Sequence, residues 1–98
     1  MDSYELKKLI RDKLWNEVSE SILSCDDIEV FKFALKQNDC PESIILDLWQ
    51  AIDPTVRALV AKHPNTPMSV LKKMVQSDND PEVKRIASKS YHLRRRNE

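Results

Sequence analysis

Residues 53–73 read DPTVRALVAKHPNTPMSVLKK, and this stretch decides the fold. Two helix starts and one sharp turn lie inside it. Asp53 suits an N-cap, because its carboxylate accepts from the free N–H groups of a first helical turn. Pro54 follows at the position where a missing N–H costs nothing. Val56, Leu59 and Val60 recur at helical spacing, and the helix is expected to stop near His63, because Pro64 disfavours helical geometry in the residue before it. Asn65 then turns the chain, Thr66 is placed to cap, and Pro67 opens a second helix carrying Val70, Leu71, Met74 and Val75.

The same phrase recurs on either side. Asp27, Asp53 and Asp80 align as caps at separations of 26 and 27 residues. Val30, Val56 and Val83 align after them, then Phe33, Leu59 and Ile86, then Ala34, Val60 and Ala87. Cys40-Pro41 answers Thr66-Pro67, Ser43 answers Ser69, and Ile44-Ile45 answers Val70-Leu71. Self-similarity at a fixed period of roughly 20–50 residues marks stacked supersecondary units. The chain is expected to hold two full helix pairs and the first helix of a third.

The phrase DPTVRALVAKHPNTPMSVLKKM, followed by DPEVKRIA, resembles the leucine-rich repeat variant family, a short helical repeat grouped with HEAT-like solenoids. The resemblance is strong over Asp53–Ala87, faint over Asp27–Ile52 and absent before Asp26. It implies a longer helix alternating with a shorter, often 3₁₀-like one in a right-handed superhelix. The founding members also carry a cysteine-rich segment that binds an iron–sulfur cluster. Here Cys25 and Cys40 are the only cysteines and lack close ligand spacing, so that part does not carry over.

Composition narrows the alternatives. At 98 residues the chain is one domain with a modest core. Glycine is absent, which removes phosphate-cradling loops and dinucleotide fingerprints, since both need close backbone approach. All five prolines sit at or beside an expected helix start, so the class is all-α. Two cysteines are no disulfide framework, and no apolar run suits a signal peptide or a membrane span; a cytoplasmic setting is expected. Net charge is zero but unevenly spread. Residues 1–53 hold twelve acids and six bases, residues 54–98 four acids and ten bases, giving −6 and +6.

Leu6, Ile10, Leu14, Val18 and Ile22 run at four-residue steps, predicting one helix from a cap at Asp2 or Ser3 to about Ser24 that covers the first repeat. Glu5, three residues after Asp2, makes the start resemble a capping box. Asp12 would lie on the solvent face of this helix. Trp15, at the edge of the stripe, either fills the seam between cap and repeat or serves as an aromatic anchor for a partner. Trp49, with Ile45, Leu48 and Ile52 around it, reads as core. Phe31 occupies the place of Arg57 and Lys84 in later units, so the first helix covers it or it is a binding spot. Asn38-Asp39 turns the chain without glycine, Asn tolerating left-handed geometry. Beyond Ile86 the pattern frays towards Arg94-Arg95-Arg96, an expected mobile tail. The expected units are a capping helix over 1–25, repeats over 27–52 and 53–79, a half repeat over 80–93 and a basic tail over 94–98.

Reaction chemistry finds no foothold. His63 and His92 form no spaced ligand set, and the acidic pairs Asp26-Asp27 and Asp78-Asp80 fall at helix starts, where negative charge suits the helix dipole. No serine or cysteine is paired with a base, so no catalytic, cofactor or metal site is expected. The one constellation with functional promise is basic. Lys36, Lys62 and Lys89 hold one place in three units and are expected in a row. Arg57 and Lys84 form a second row, with Arg85 and Arg94–Arg96 extending the surface. Such a row is a solvated face or a site for an anionic partner, whether an acidic protein or a phosphate backbone. The expectation is a small right-handed α-solenoid of about six helices that binds another protein as adaptor or inhibitor, with nucleic-acid binding by the basic half as the alternative. The unequal charge of the two halves predicts a monomer that self-associates weakly at low salt.

Overall fold

A computed structural model describes residues 2–96, and among them the secondary structure is helical, without strands. Seven α-helices follow one another: α1 (Ser3–Arg11), α2 (Trp15–Ser21), α3 (Ile28–Leu35), α4 (Glu42–Leu48), α5 (Pro54–Lys62), α6 (Met68–Ser77) and α7 (Pro81–Arg96). A 3₁₀ turn, Ile22–Ser24, extends α2.

The aspartate caps lie where the sequence puts them. Asp27 accepts from the Glu29 N–H at 2.9 Å and Asp53 from the N–H groups of Thr55 and Val56. Asp80 accepts from Glu82 and Val83. Asp2 accepts from the Glu5 N–H at 2.8 Å. The second helices start differently. Pro41 and Pro67 are the N-cap residues of α4 and α6, and neither helix has a side-chain cap. Thr66 does not cap α6: fully buried, it turns its hydroxyl back to donate to the Val60 carbonyl.

The first helix is not continuous. It ends at Arg11, and Lys13 takes a left-handed φ of 63°, the only positive φ among the described residues. The Lys13 N–H donates to the Ile10 carbonyl and the Leu14 N–H to the Leu9 carbonyl, both at 3.0 Å, which closes the helix in the paired pattern usually built on glycine. The reason lies in the stripe itself. Each four-residue step advances about 40° around an α-helix, so five members drift by about 160°. A straight helix would carry Ile22 away from the face that Leu6 presents. Breaking the chain after Arg11 resets the direction: Leu6, Ile10, Val18 and Ile22 are all buried, while Leu14, at the break, is 43% exposed. Asp12 is therefore the C-cap of α1 and not a mid-helix residue. Asn38-Asp39 turns the chain without the left-handed geometry expected of it, neither residue having a positive φ.

Packing joins alternate helices. α3 lies against α1 and α5, and α5 against α7; α2 packs on α1, α4 on α5 and α6 on α7. The core is one continuous cluster, with Val30, Ile44, Ile45, Val56, Val60, Leu71 and Val83 among its buried members. The body measures 38 × 27 × 16 Å. At the C-terminal end, α7 runs to Arg96, so Arg94–Arg96 form a helical turn instead of a loose tail. Asn97 and Glu98, assigned by the sequence to the same tail, lie outside the described residues. No helix among the described residues is long and apolar enough to cross a membrane.

Candidate binding surface

The connections gather into two edges, because each helix carries the chain from one to the other. The first edge holds the break after α1, the loop 36–41, the loop 63–67 and Arg94. It is bonded from end to end. Lys13 donates to Asp39 Oδ1 at 2.9 Å and to Gln37 Oε1 at 3.1 Å, and its ammonium stands 5.9 Å from the centre of the Trp15 ring. The Trp15 indole N–H points to Asp39 Oδ2 at 3.4 Å. The Lys13 ammonium beside it holds the Asp39 carboxyl below its usual range.

His63 carries the next link. It is buried, and its Nδ1 accepts from the Asn65 N–H at 3.0 Å, which leaves Nε2 to donate to the Gln37 carbonyl at 2.7 Å. Both ring nitrogens are thus committed in the neutral tautomer that carries its proton on Nε2. The Asn65 side-chain amide donates hydrogen bonds to the carbonyls of Cys40 (2.9 Å) and Asn38 (3.1 Å). Arg94 completes the series by donating to the carbonyls of His63 and Thr66. Backbone carbonyls in packed loops need donors, and these side chains supply them at Gln37, Asn38, Cys40, Thr66 and the α5 C-cap His63. Burial lowers the pKa of the Arg94 guanidinium, and it raises that of the Cys40 thiol to about 12, with a smaller contribution from Asp39.

The second edge holds the 3₁₀ turn, the loop 49–53 and the loop 78–80. Arg57 anchors part of it. Its Nε meets Asp78 Oδ2 at 2.9 Å, and Nη1 donates to the carbonyls of Ala51 (2.8 Å) and Ile52 (2.7 Å). The pair is well buried, with 13% and 6% of the two side chains exposed. Beside this anchor the edge is open. A groove of about 620 Å³ runs between the 3₁₀ turn, the start of α3, the end of α4 and the start of α5. Leu23 (70% exposed), Ile28 and Ile52 (96% exposed) stand at its surface, with Phe31 on its wall.

The basic residues singled out by the sequence are therefore divided. Lys62, Lys89 and Arg85 line one shallow groove of about 240 Å³ between α5 and α7, so two members of the lysine row do come together. Arg85 is held by Glu82 there, each raising the charge preference of the other. Lys36 is exposed at the C-cap of α3 and does not line that groove. Lys84, Arg95 and Arg96 are exposed on α7. Arg57 and Arg94 are tied to carbonyls and, for Arg57, to a buried carboxylate. They are structural ties in place of members of a basic surface. Trp15 is half-buried against the core in the seam between α2 and the loop 36–41. Cys25 and Cys40 are free, and no group of three His, Cys, Asp or Glu side chains among the described residues could hold a metal ion.

The apolar groove is what sequence reasoning missed. Its place four residues past Leu48 groups Ile52 with the core, yet α4 ends at Leu48 and Ile52 falls in the bend before the Asp53 cap. A faint signal existed: an apolar residue directly before an Asp-Pro start cannot belong to either helix. Leu23 likewise lies off the four-residue stripe. Compared with known proteins, the chain matches no family model, no curated protein and no solved structure.

Proposed function

We propose that this chain is a non-enzymatic protein-binding module, a small right-handed α-solenoid of the leucine-rich repeat variant kind that acts on a larger protein or complex as adaptor or inhibitor. The succession of contacts from α1 through α3 and α5 to α7, together with the 26- and 27-residue spacing of the caps, supports the solenoid. The observation that carries the function is the apolar groove, where Leu23 and Ile52 are largely exposed at a site the fold has left without an internal neighbour. Apolar side chains clustered in a concavity mark contact surfaces. The groups fit for chemistry have other employment: His63 is bonded through both nitrogens, and the Cys40 thiol is buried. Free cysteines suit a cytoplasmic setting.

Affinity capture from the native host, with and without nuclease, tests this reading when wild type and Ile52→Ser are compared and the captured protein is then reconstituted from purified components. A partner that survives nuclease and is lost with Ile52→Ser is the expected result. A partner released by nuclease would favour the second reading, nucleic-acid binding at the Lys62–Arg85–Lys89 groove. There, affinity would fall steeply between low and physiological salt, and Lys62→Glu with Lys89→Glu would abolish it.

A further inference from the structure

The polar groups of the apolar groove are of one sign. Asp26, Asp47 and Asp53 line it, and no Lys, Arg or His does. Asp53 is engaged as the cap of α5, and its neighbour Lys32 lies 3.6 Å from Glu29. Asp26 and Asp47 form no side-chain hydrogen bond or ion pair with any described residue. Two uncommitted carboxylates therefore flank an apolar floor, on the half of the chain that carries −6.

This pattern selects among occupants. An apolar segment with acidic or neutral flanks would bury its side chains beside carboxylates that gain nothing, and like charge set against like charge is costly. A segment whose apolar side chains are flanked by Lys or Arg fills the floor and pairs the rim. The groove is bounded by helix ends and has a volume of about 620 Å³, and an amphipathic helix laid apolar face down is one of the recurring ways a partner fills such a groove.

Building on the protein-binding reading above, we infer that the groove between the 3₁₀ turn and the α4–α5 loop docks a basic amphipathic helix of a partner protein, with Leu23 and Ile52 contacting its apolar face and Asp26 and Asp47 its Lys or Arg flanks.

The test uses the full chain and three labelled peptides of about 18 residues, five helical turns. One has leucines at i, i+3, i+4 and i+7 with lysines elsewhere; the second replaces every lysine by glutamate; the third replaces every leucine by serine. Fluorescence anisotropy should show binding of the Leu/Lys peptide, with the other two weaker by about tenfold or more. Ile52→Ser should weaken the Leu/Lys peptide. Asp26→Lys with Asp47→Lys should weaken it about tenfold and strengthen the Leu/Glu peptide. These positions are outside the buried core, and a thermal melt verifies that each variant is folded.

Equal binding of the lysine and glutamate peptides, or indifference to the aspartate reversal, would overturn the charge preference. If Ile52→Ser still weakened both peptides, the groove would remain a protein-docking site of another specificity. Indifference to Ile52→Ser would remove the groove as the docking site. Sedimentation covers the remaining occupant: Leu93 is exposed on the basic α7, and self-association of wild type that Leu93→Ser abolishes would make a second copy, through that helix, the natural occupant instead.

Discussion

The two edges of the molecule are built from the same kind of loop and end differently. Along the first, each loop is bonded to the next by side chains: Lys13 and Trp15 donate to the Gln37 and Asp39 side chains of the loop 36–41, while His63 and Asn65 reach backbone carbonyls of that loop and Arg94 those of the loop 63–67. Along the second, Arg57 joins the loop 49–53 to Asp78, and the remainder opens into an apolar groove. The backbone carbonyls of packed loops need donors. Where the chain supplies the donors, the edge is closed. Where it supplies apolar side chains and carboxylates, the edge stays available to another molecule.

That contrast breaks most readily at Arg57. Replacing it by Met leaves Asp78 buried without its counter-charge and strips donors from Ala51 and Ile52. Breaking a buried pair by removing one partner costs about 3–5 kcal/mol. Urea unfolding of Arg57→Met should show that loss, and Asp78→Leu added to it should recover part of it. A loss below about 1 kcal/mol would mean that the second edge is held by apolar packing alone.

Arg94 gives the next largest effect. Arg94→Met should cost about 1–3 kcal/mol, the usual penalty for a buried carbonyl left unsatisfied, here that of Thr66, since the His63 carbonyl keeps the Thr66 N–H; Arg95→Met, on an exposed position, should leave urea stability unchanged. Equal, negligible effects would return Arg94–Arg96 to the loose tail that the sequence suggests and leave the first edge one link short.

Asp53 and Asp26 separate a cap from a ligand within the groove. Asp53→Ala removes the acceptor of the first turn of α5 and should lower Tm by roughly 5 °C, while Asp26→Ala should leave Tm in place. A drop of similar size for Asp26→Ala would show that it is structural and not free for a partner.

Lys13 sharpens the account of the first edge. Both Lys13→Ala and Lys13→Gly delete its bonds to Gln37 and Asp39, but only glycine relieves the left-handed backbone. Lys13→Gly should be the more stable of the two by about 1 kcal/mol in urea unfolding. Identical stabilities would argue for an unbroken helix through Asp12.

The smallest effect concerns Cys40. Its thiol is held neutral up to about pH 12, against 9.0 for an ordinary thiol, because burial penalises the thiolate. With the folded pKa raised, the neutral thiol's stabilisation is full below pH 9 and is lost as pH rises from 9 towards 12. Native protein treated with iodoacetamide at pH 8 should be alkylated at the half-buried Cys25, and at Cys40 only after unfolding. Labelling of Cys40 in the native state would mean that the loop 36–41 opens.

Local chemistry made much of this legible. An aspartate cap ahead of an apolar period, followed by proline at α5 and α7, states a helix start, a direction and a buried face in adjacent residues, so the starts of α3, α5 and α7 and the core positions Val30, Val56 and Val83 follow from the sequence alone. The period of 26 and 27 residues likewise set out the order of helices. Three other features depend on partners distant in sequence. The break at Lys13 arises because a four-residue stripe cannot stay on one face of a straight helix, which matters only once α3 is there to be faced. Arg57 and Arg94 look like surface bases until Asp78 and the carbonyls of loops 20 to 30 residues away come within reach. Ile52 and Leu23 have no such partner. Their apolarity is written in the sequence, but their exposure is decided by where α4 and the 3₁₀ turn end in space. Caps and periodicity are fixed within one helical turn; whether a charge is solvated or a hydrophobe is covered depends on which loops the packed helices bring together.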